Sequence, residues 1–203
     1  MTFIGIIESN ENRKTITTIK SILMEFDYKL IYTNEFKNIL CLKNEDKILI
    51  IIDINLKDVE FYDKLGIEFD ILVHNFIKRE EYNNKLLGRQ FKNCKYYILN
   101  SDDPDWNLLR VNLLEGVVIN YGYNRKSTLT ISSHSIEGSI NMNIYLQREL
   151  ETLSKAKIDP FEFTLEVDSE NKNDIYPVLA ASALNLILVN KNSSIKAYKN
   201  IKI

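Results

Sequence analysis

The sequence predicts an α/β protein: a mostly parallel, P-loop-type sheet flanked by helices, with a small antiparallel element in the last third. Three observations carry this. Runs that are apolar throughout recur along the first 122 residues, and strands apolar on both faces belong to parallel sheets covered on both sides. Segments of helical periodicity separate several of these runs. After residue 122 the runs give way to alternation of apolar and polar residues, as in antiparallel strands with one face in water.

FIGII (3–7) is the first strand, followed by the polar turn ESNENRKT and by helical spacing over 15–26. YKLIY (28–32), ILIIIDI (48–54), FDILVH (69–74), KYYILN (95–100) and GVVIN (116–120) are further strands, with amphipathic segments at 78–91 and 105–114. STLTISS (127–133), SINMNIYL (139–146) and FEFTLEVD (161–168) alternate and are separated by turn residues such as Glu137-Gly138 and Asp159-Pro160. They predict an appended antiparallel sheet. Residues 174–189 have the length and small apolar face of a helix packed closely on a sheet, and Pro177 falls in its first turn, where a missing N–H is tolerated. SIKAYKNI is a closing strand. No repeat, low-complexity tract or Gly/Pro/Ser-rich linker marks a boundary. One domain over 1–203 is therefore expected, with 1–122 its parallel part, 123–168 an antiparallel insertion and 169–203 a closing helix and strand.

Composition narrows the function classes. The chain has 203 residues, 45% of them hydrophobic, which is enough for a substantial core. Its 26 basic and 28 acidic residues are scattered and give a net charge of -2, so neither nucleic acid nor a membrane is an expected partner. Cys41 and Cys94 lie far apart and form no metal-spaced cluster, which reads as buried thiols in a reducing compartment. The opening apolar run meets Glu8 too early for a secretory signal, and no run approaches the ~20 residues of a membrane span. A cytoplasmic location is expected. His74 and His134 have no Ser or Cys nearby in sequence that would suggest a triad, and the eleven tyrosines are dispersed, which disfavours a base-stacking platform.

The opening strand, polar turn and Lys14-Thr15 helix start have the outline of a phosphate-binding loop. Such loops need glycines so that backbone N–H groups can close around phosphate oxygens, and none stands between Gly5 and the helix.

Four stretches then fall in a telling order: GIIESNENRKTITTIKSIL; GIEFDILVHNFIKREEY; YILNSDDPDWNLL with VVINYG; and NDIYPVLAASALNLIL. Together they resemble, over nearly the whole chain, the central ATP-binding domain of the Mur ligases, the UDP-N-acetylmuramoyl-peptide synthases of peptidoglycan assembly. The first is similar to the family's strand, G-T-N-G-K-T loop and helix, and the second to a strand ending in T-N and followed by D-H-L-D. The third is similar to its N-x-D-D-P turn with the next strand and Y-G, and the fourth to the helix beginning H-N-x-x-N-A-x-A-A.

The resemblance implies a site, residue by residue. Ser9 and Asn10 match the loop's Thr and Asn, and Lys14 and Thr15 its Lys and hydroxyl residue. Asp174 falls at an adenine-side asparagine. Asp53, ending ILIIID, falls at a metal-ligating glutamate, with Thr15 as the second metal position. The departures are as instructive. Glu8 stands where the first loop glycine belongs, Arg13 precedes the lysine, and Glu11-Asn12 resembles a two-residue insertion. Glu80-Glu81 replaces the D-H pair, Pro177 replaces the other adenine-reading asparagine, and Lys85 only approaches the position of the family's carbamylated lysine. Acidic side chains repel a polyphosphate and a lost glycine re-aims the amides.

The expectation is a degenerate nucleotide site without catalytic residues, in a chain lacking the family's two flanking domains. Such a chain would act through a protein partner or as a homo-oligomer, in peptidoglycan or related amide-ligase metabolism, with helix 174–189 and SIKAYKNI as contact surfaces. Two alternatives stand beside it. One is the ATP-binding subunit of a split ATP-dependent amide ligase, with ATP and Mg2+ as cofactors if the loop works. The other is a small-ligand module using the cleft at the strands' C-terminal ends, where open α/β sheets place ligands.

Overall fold

The computed structural model describes residues 1–9, 13–109, 115–189 and 199–202. β1 (Thr2–Ile7) pairs in parallel with β4 (Lys47–Asp53) on one side and β5 (Ile71–His74) on the other. β6 (Tyr96–Asn100) and β7 (Val117–Gly122) extend the parallel part. Beyond β4, β3 (Ile39–Asn44) and β2 (Lys29–Asn34) add an antiparallel meander that ends the sheet. Beyond β7, β8 (Leu129–Ile136) pairs in parallel, β9 (Ile140–Leu146) and β12 (Phe161–Val167) follow antiparallel, and β13 (Lys199–Lys202) lies parallel to β12. The order is β13-β12-β9-β8-β7-β6-β5-β1-β4-β3-β2, and β10 (Leu150–Glu151) and β11 (Lys157–Ile158) form a separate antiparallel pair. The fold class is α/β, as the sequence predicts.

The apolar runs are two interleaved period-two patterns. Ile4 and Ile6, Leu49 and Ile51, Ile71 and Val73, Tyr96 and Ile98 bury into one core; Ile7, Ile52, Leu72, Tyr97 and Leu99 bury into a second on the opposite face. α1 (Thr15–Glu25) and α4 (Ile175–Leu188) cover the first face. The short helices α2 (Val59–Lys64) and α3 (Lys85–Gln90) cover the second. Beyond β7 the second face is open, so β9 alternates buried Ile140, Met142, Ile144 and Leu146 with less buried residues between them.

Several elements differ from the sequence reading. The antiparallel strands after residue 122 continue the main sheet instead of forming an appended one, because Leu129 and Thr130 of β8 hydrogen-bond beside Tyr121 and Gly122 of β7. Alternation recorded the loss of cover on one face, not separation from the sheet. Residues 78–91 are not one helix. A 3-10 turn, Arg79–Asn83, stops at Asn84, whose extended backbone starts α3 and whose side chain accepts the N–H of Leu86. The segment at 105–114 is described only through the 3-10 turn Trp106–Leu109; its remainder, like residues 194–198 of the closing strand, lies outside the described residues. β3 went unread, since ILCLKN runs into charged and polar residues before its alternation is established.

α4 is buried on all sides, Tyr176 being its one partly exposed residue, and so is not the open contact surface expected of helix 174–189. It packs on the sheet and on α1, while Leu150 and Ile158 of the β10–β11 pair belong to the same core. Leu153 donates its N–H to Ile187 O at 2.8 Å, so this small pair closes over the helix.

Candidate phosphate-loop site

The site lies at the C-terminal ends of the central strands, where β1, β5 and β6 run out beneath the start of α1 and α4. Glu8 follows β1 and is 3% exposed. Its carboxylate accepts the backbone N–H of Thr15 at 3.2 Å and the Thr15 hydroxyl at 2.5 Å. An acidic group at this place is favoured by the free N–H groups of a helix start. Thr15 Oγ1 also accepts Asn75 Nδ2 at 3.1 Å, and Asn75 Oδ1 accepts Asn100 Nδ2 at 3.3 Å. A line of buried hydrogen bonds thus joins the ends of β6 and β5 to α1 and β1.

Lys14 is exposed, and its Nζ donates to both oxygens of Asp174 at 2.9 and 2.8 Å. Asp174 accepts the Ser169 hydroxyl at 2.7 Å as well. Ser9 is held by its N–H, which donates to Phe76 O at 2.7 Å. Glu8, Ser9, Lys14, Asn75, Asp174 and Tyr176 line one cleft of ≈ 280 Å³. Its aromatic wall is Tyr176, edge-on to Phe76 at 4.7 Å and to Tyr123 at 6.0 Å.

Asp53 is elsewhere. It is 1% exposed and lines a second cavity of ≈ 240 Å³ with Arg13, Thr17, Lys20 and Asn38. Arg13 Nε lies 3.7 Å from Asp53 Oδ2, and among the described residues neither carboxylate oxygen has a hydrogen-bond partner. Burial pushes Asp53 up to about 6, and the Arg13 charge only partly offsets it. Glu8 is pushed up to about 7, first by burial and then by the Asp53 charge, against the hydrogen bonds from Thr15.

The structure thus brings Ser9, Lys14 and Asp174 onto one cleft with Thr15 fixed beneath it, while Asp53 lines a second cavity with Arg13. Asn10, with Glu11 and Asn12, lies outside the described residues. Among the described residues no group of three or more His, Cys, Asp or Glu side chains could hold a metal ion. Among the described residues, the loop groups that a magnesium polyphosphate would meet are engaged within the chain. The Thr15 N–H and hydroxyl are taken by Glu8, and the Lys14 ammonium is taken by Asp174. The loop's anion seat holds a carboxylate of the chain itself.

The remaining motif residues are structural ties. Asp103 sits under the cleft with fully buried His74 and with Tyr82, whose hydroxyl lies 2.7 Å from His74 Nε2 and donates to Asp103 Oδ2 at 2.8 Å. Burial lowers His74, against the opposing pull of Asp103. Asp103 Oδ1 accepts the Asp105 N–H, while Asp102 accepts the Tyr123 N–H. Asn75 and Tyr176 were not singled out from sequence. A polar residue closing the run FDILVH was the available signal for Asn75, because open α/β sheets place ligands there; for Tyr176 there was none.

No family model matches this sequence, and no curated protein matches it. Solved structures do share its fold. The chain aligns over 98% of its length with 46% of the UDP-N-acetylmuramoylalanyl-D-glutamyl-2,6-diaminopimelate--D-alanyl-D-alanyl ligase from Acinetobacter baumannii, at a TM-score of 0.67 and 12% identity. It aligns over 100% of its length with 48% of the MurF ligase from Thermotoga maritima, solved in complex with ADP, at 0.59 and 14%. For the chain in an FPGS–AMPPCP–folate complex the figures are 92% and 57%, at 0.54 and 10%. At such identities the likeness is one of fold. The chain has the Mur-ligase fold and spans about half the length of the solved ligases it matches. Among the described residues no helix is long and apolar enough to cross a membrane.

Proposed function

We propose that this chain is a non-catalytic, Mur-ligase-like module whose nucleotide loop is filled by its own carboxylates, and that it works by binding in peptidoglycan or related amide-ligase metabolism. The observation that carries this is the Glu8 carboxylate seated on the Thr15 N–H and hydroxyl. In a working phosphate loop those amides and that hydroxyl face phosphate and magnesium. A phosphate entering here must displace a buried carboxylate and also compete with Asp174 for Lys14. Calorimetry with ATP and Mg2+ tests the reading. Binding no tighter than millimolar and no ATP hydrolysis are expected, and micromolar binding abolished by Lys14→Ala would overturn it.

The split-ligase reading draws on the neighbours solved with ADP and AMPPCP and on the retained Lys14 and Thr15. It requires phosphate release from ATP when the chain is offered a muramyl peptide and an amine together with a complementing subunit. The small-ligand reading uses the same cleft of ≈ 280 Å³, with the Tyr176 and Phe76 rings as its wall.

A further inference from the structure

β2 ends the eleven-stranded sheet, and among the described residues β3 is its only strand partner. Its burial is unusual for the composition KLIYTN: every residue from Lys29 to Thr33 is exposed, so both faces are open as well as the outer edge. Leu30 is 39% exposed, Ile31 54%, Tyr32 51%, and Phe36 in the following turn 99%. Four large apolar side chains together on an open edge form the kind of surface that proteins ordinarily cover or charge. The bulge at Ile31 blunts this edge locally, but Lys29 is the only charge within the strand.

We propose that a second copy of this chain covers this surface, its β2 pairing antiparallel with the first across a two-fold axis at Tyr32. Charge selects both the occupant and the register. In a symmetric antiparallel pair each register is centred on one residue that faces its own copy, because hydrogen-bonded and non-hydrogen-bonded pairs alternate. Centred on Tyr32, Ile31 lies opposite Thr33, Leu30 opposite Asn34 and Tyr32 opposite Tyr32, while Lys29 of one copy comes opposite Glu35, the first turn residue after the other copy's β2, twice over. The charged, β-branched and aromatic pairs are favourable, and Leu30 with Asn34 is the one mismatched pair. Centred on Thr33, Lys29 would face Lys37; centred on Ile31, it would face Thr33 with no ion pair. The Tyr32 register is the one in which the edge is complementary to itself, and pairing there consumes both open edges and closes the assembly at two copies.

Sedimentation velocity and light scattering across micromolar concentrations test this on the full chain. A reversible dimer is expected. Lys29→Glu and Glu35→Lys should each weaken it about tenfold, since either one sets like charges opposite each other at two symmetric places. The double variant should return to within about threefold of the original affinity. Both positions are exposed, and far-UV circular dichroism confirms that each variant is folded. A chain that stays monomeric throughout overturns the proposal. So does a dimer indifferent to both single variants, or one that the charge swap fails to restore. The outcome is independent of the nucleotide titration, so failure of one reading is distinguishable from failure of the other.

Discussion

Glu8 shows how a single residue changes what a loop can do. A glycine leaves helix-start amides open to a ligand, whereas a glutamate can fill that place with its own carboxyl group. The same burial makes the site sensitive to pH. Glu8 sits near 7 against an ordinary 4.5, and Asp53 near 6 against 3.8. Both are raised, so the folded protein holds protons that the unfolded chain has released. Their contribution to stability is complete below the ordinary carboxylate values and is lost as pH rises through the folded values. Urea unfolding of the wild type relative to Glu8→Gln should therefore show the wild type losing stability between about pH 4.5 and about 7, with no such difference in slope above that window. A second test concerns Tyr82, whose hydroxyl stands between His74 and Asp103. Tyr82→Phe leaves both buried groups short of a partner and should cost about 1–3 kcal/mol in denaturant unfolding.

At the scale of the element, turns and helices are fixed by close approaches that composition does not announce. Gly122 closes β7 at φ +146°, and a Cβ there would lie 2.7 Å from the Asp102 carboxylate that receives the Tyr123 N–H. Gly122→Ala should push Asp102 off that amide and lower stability by about 1–3 kcal/mol, read as a drop in thermal midpoint. α4 is the opposite case. Its sequence IYPVLAASALNLIL has no polar face, and such a helix is stable in water only when covered on every side. Leu184 is 0% exposed, and Leu184→Ala should cost about 2–5 kcal/mol by leaving a cavity. The existence of α1, α4 and most strands was legible because their apolar patterns are long. The break at Asn84 was not, since capping by a side chain depends on a local backbone geometry that periodicity does not encode.

For the whole molecule, one sheet carries two cores, and the two should not melt separately. Trp106, the sole tryptophan, packs against the core under α2 and α3, while Leu184 lies in the core under α1 and α4. Tryptophan fluorescence and far-UV circular dichroism should therefore report coincident unfolding transitions, and Leu184→Ala should shift both midpoints equally. A fluorescence transition left unmoved by that substitution would mean that the faces unfold independently. The partner reading also belongs at this scale. α4 is buried, whereas the β2 edge, the surface proposed for a second copy, is exposed.

By itself the sequence determined the long strands and helices, that the parallel part is covered on both faces, and that the loop lacks glycines where a phosphate loop needs them. These follow from side-chain period and backbone freedom, which are local properties. Only the tertiary structure decided that β8, β9 and β12 extend the central sheet, that Glu8 sits on Thr15 while Asp174 holds Lys14, and that Asp53 faces a different cavity. Each of these depends on contacts between residues distant in the chain or on the direction in which a buried side chain points. A pattern of one-dimensional spacing carries neither, because the same carboxylate at the end of a strand can face solvent, a metal, or the amide of its own helix.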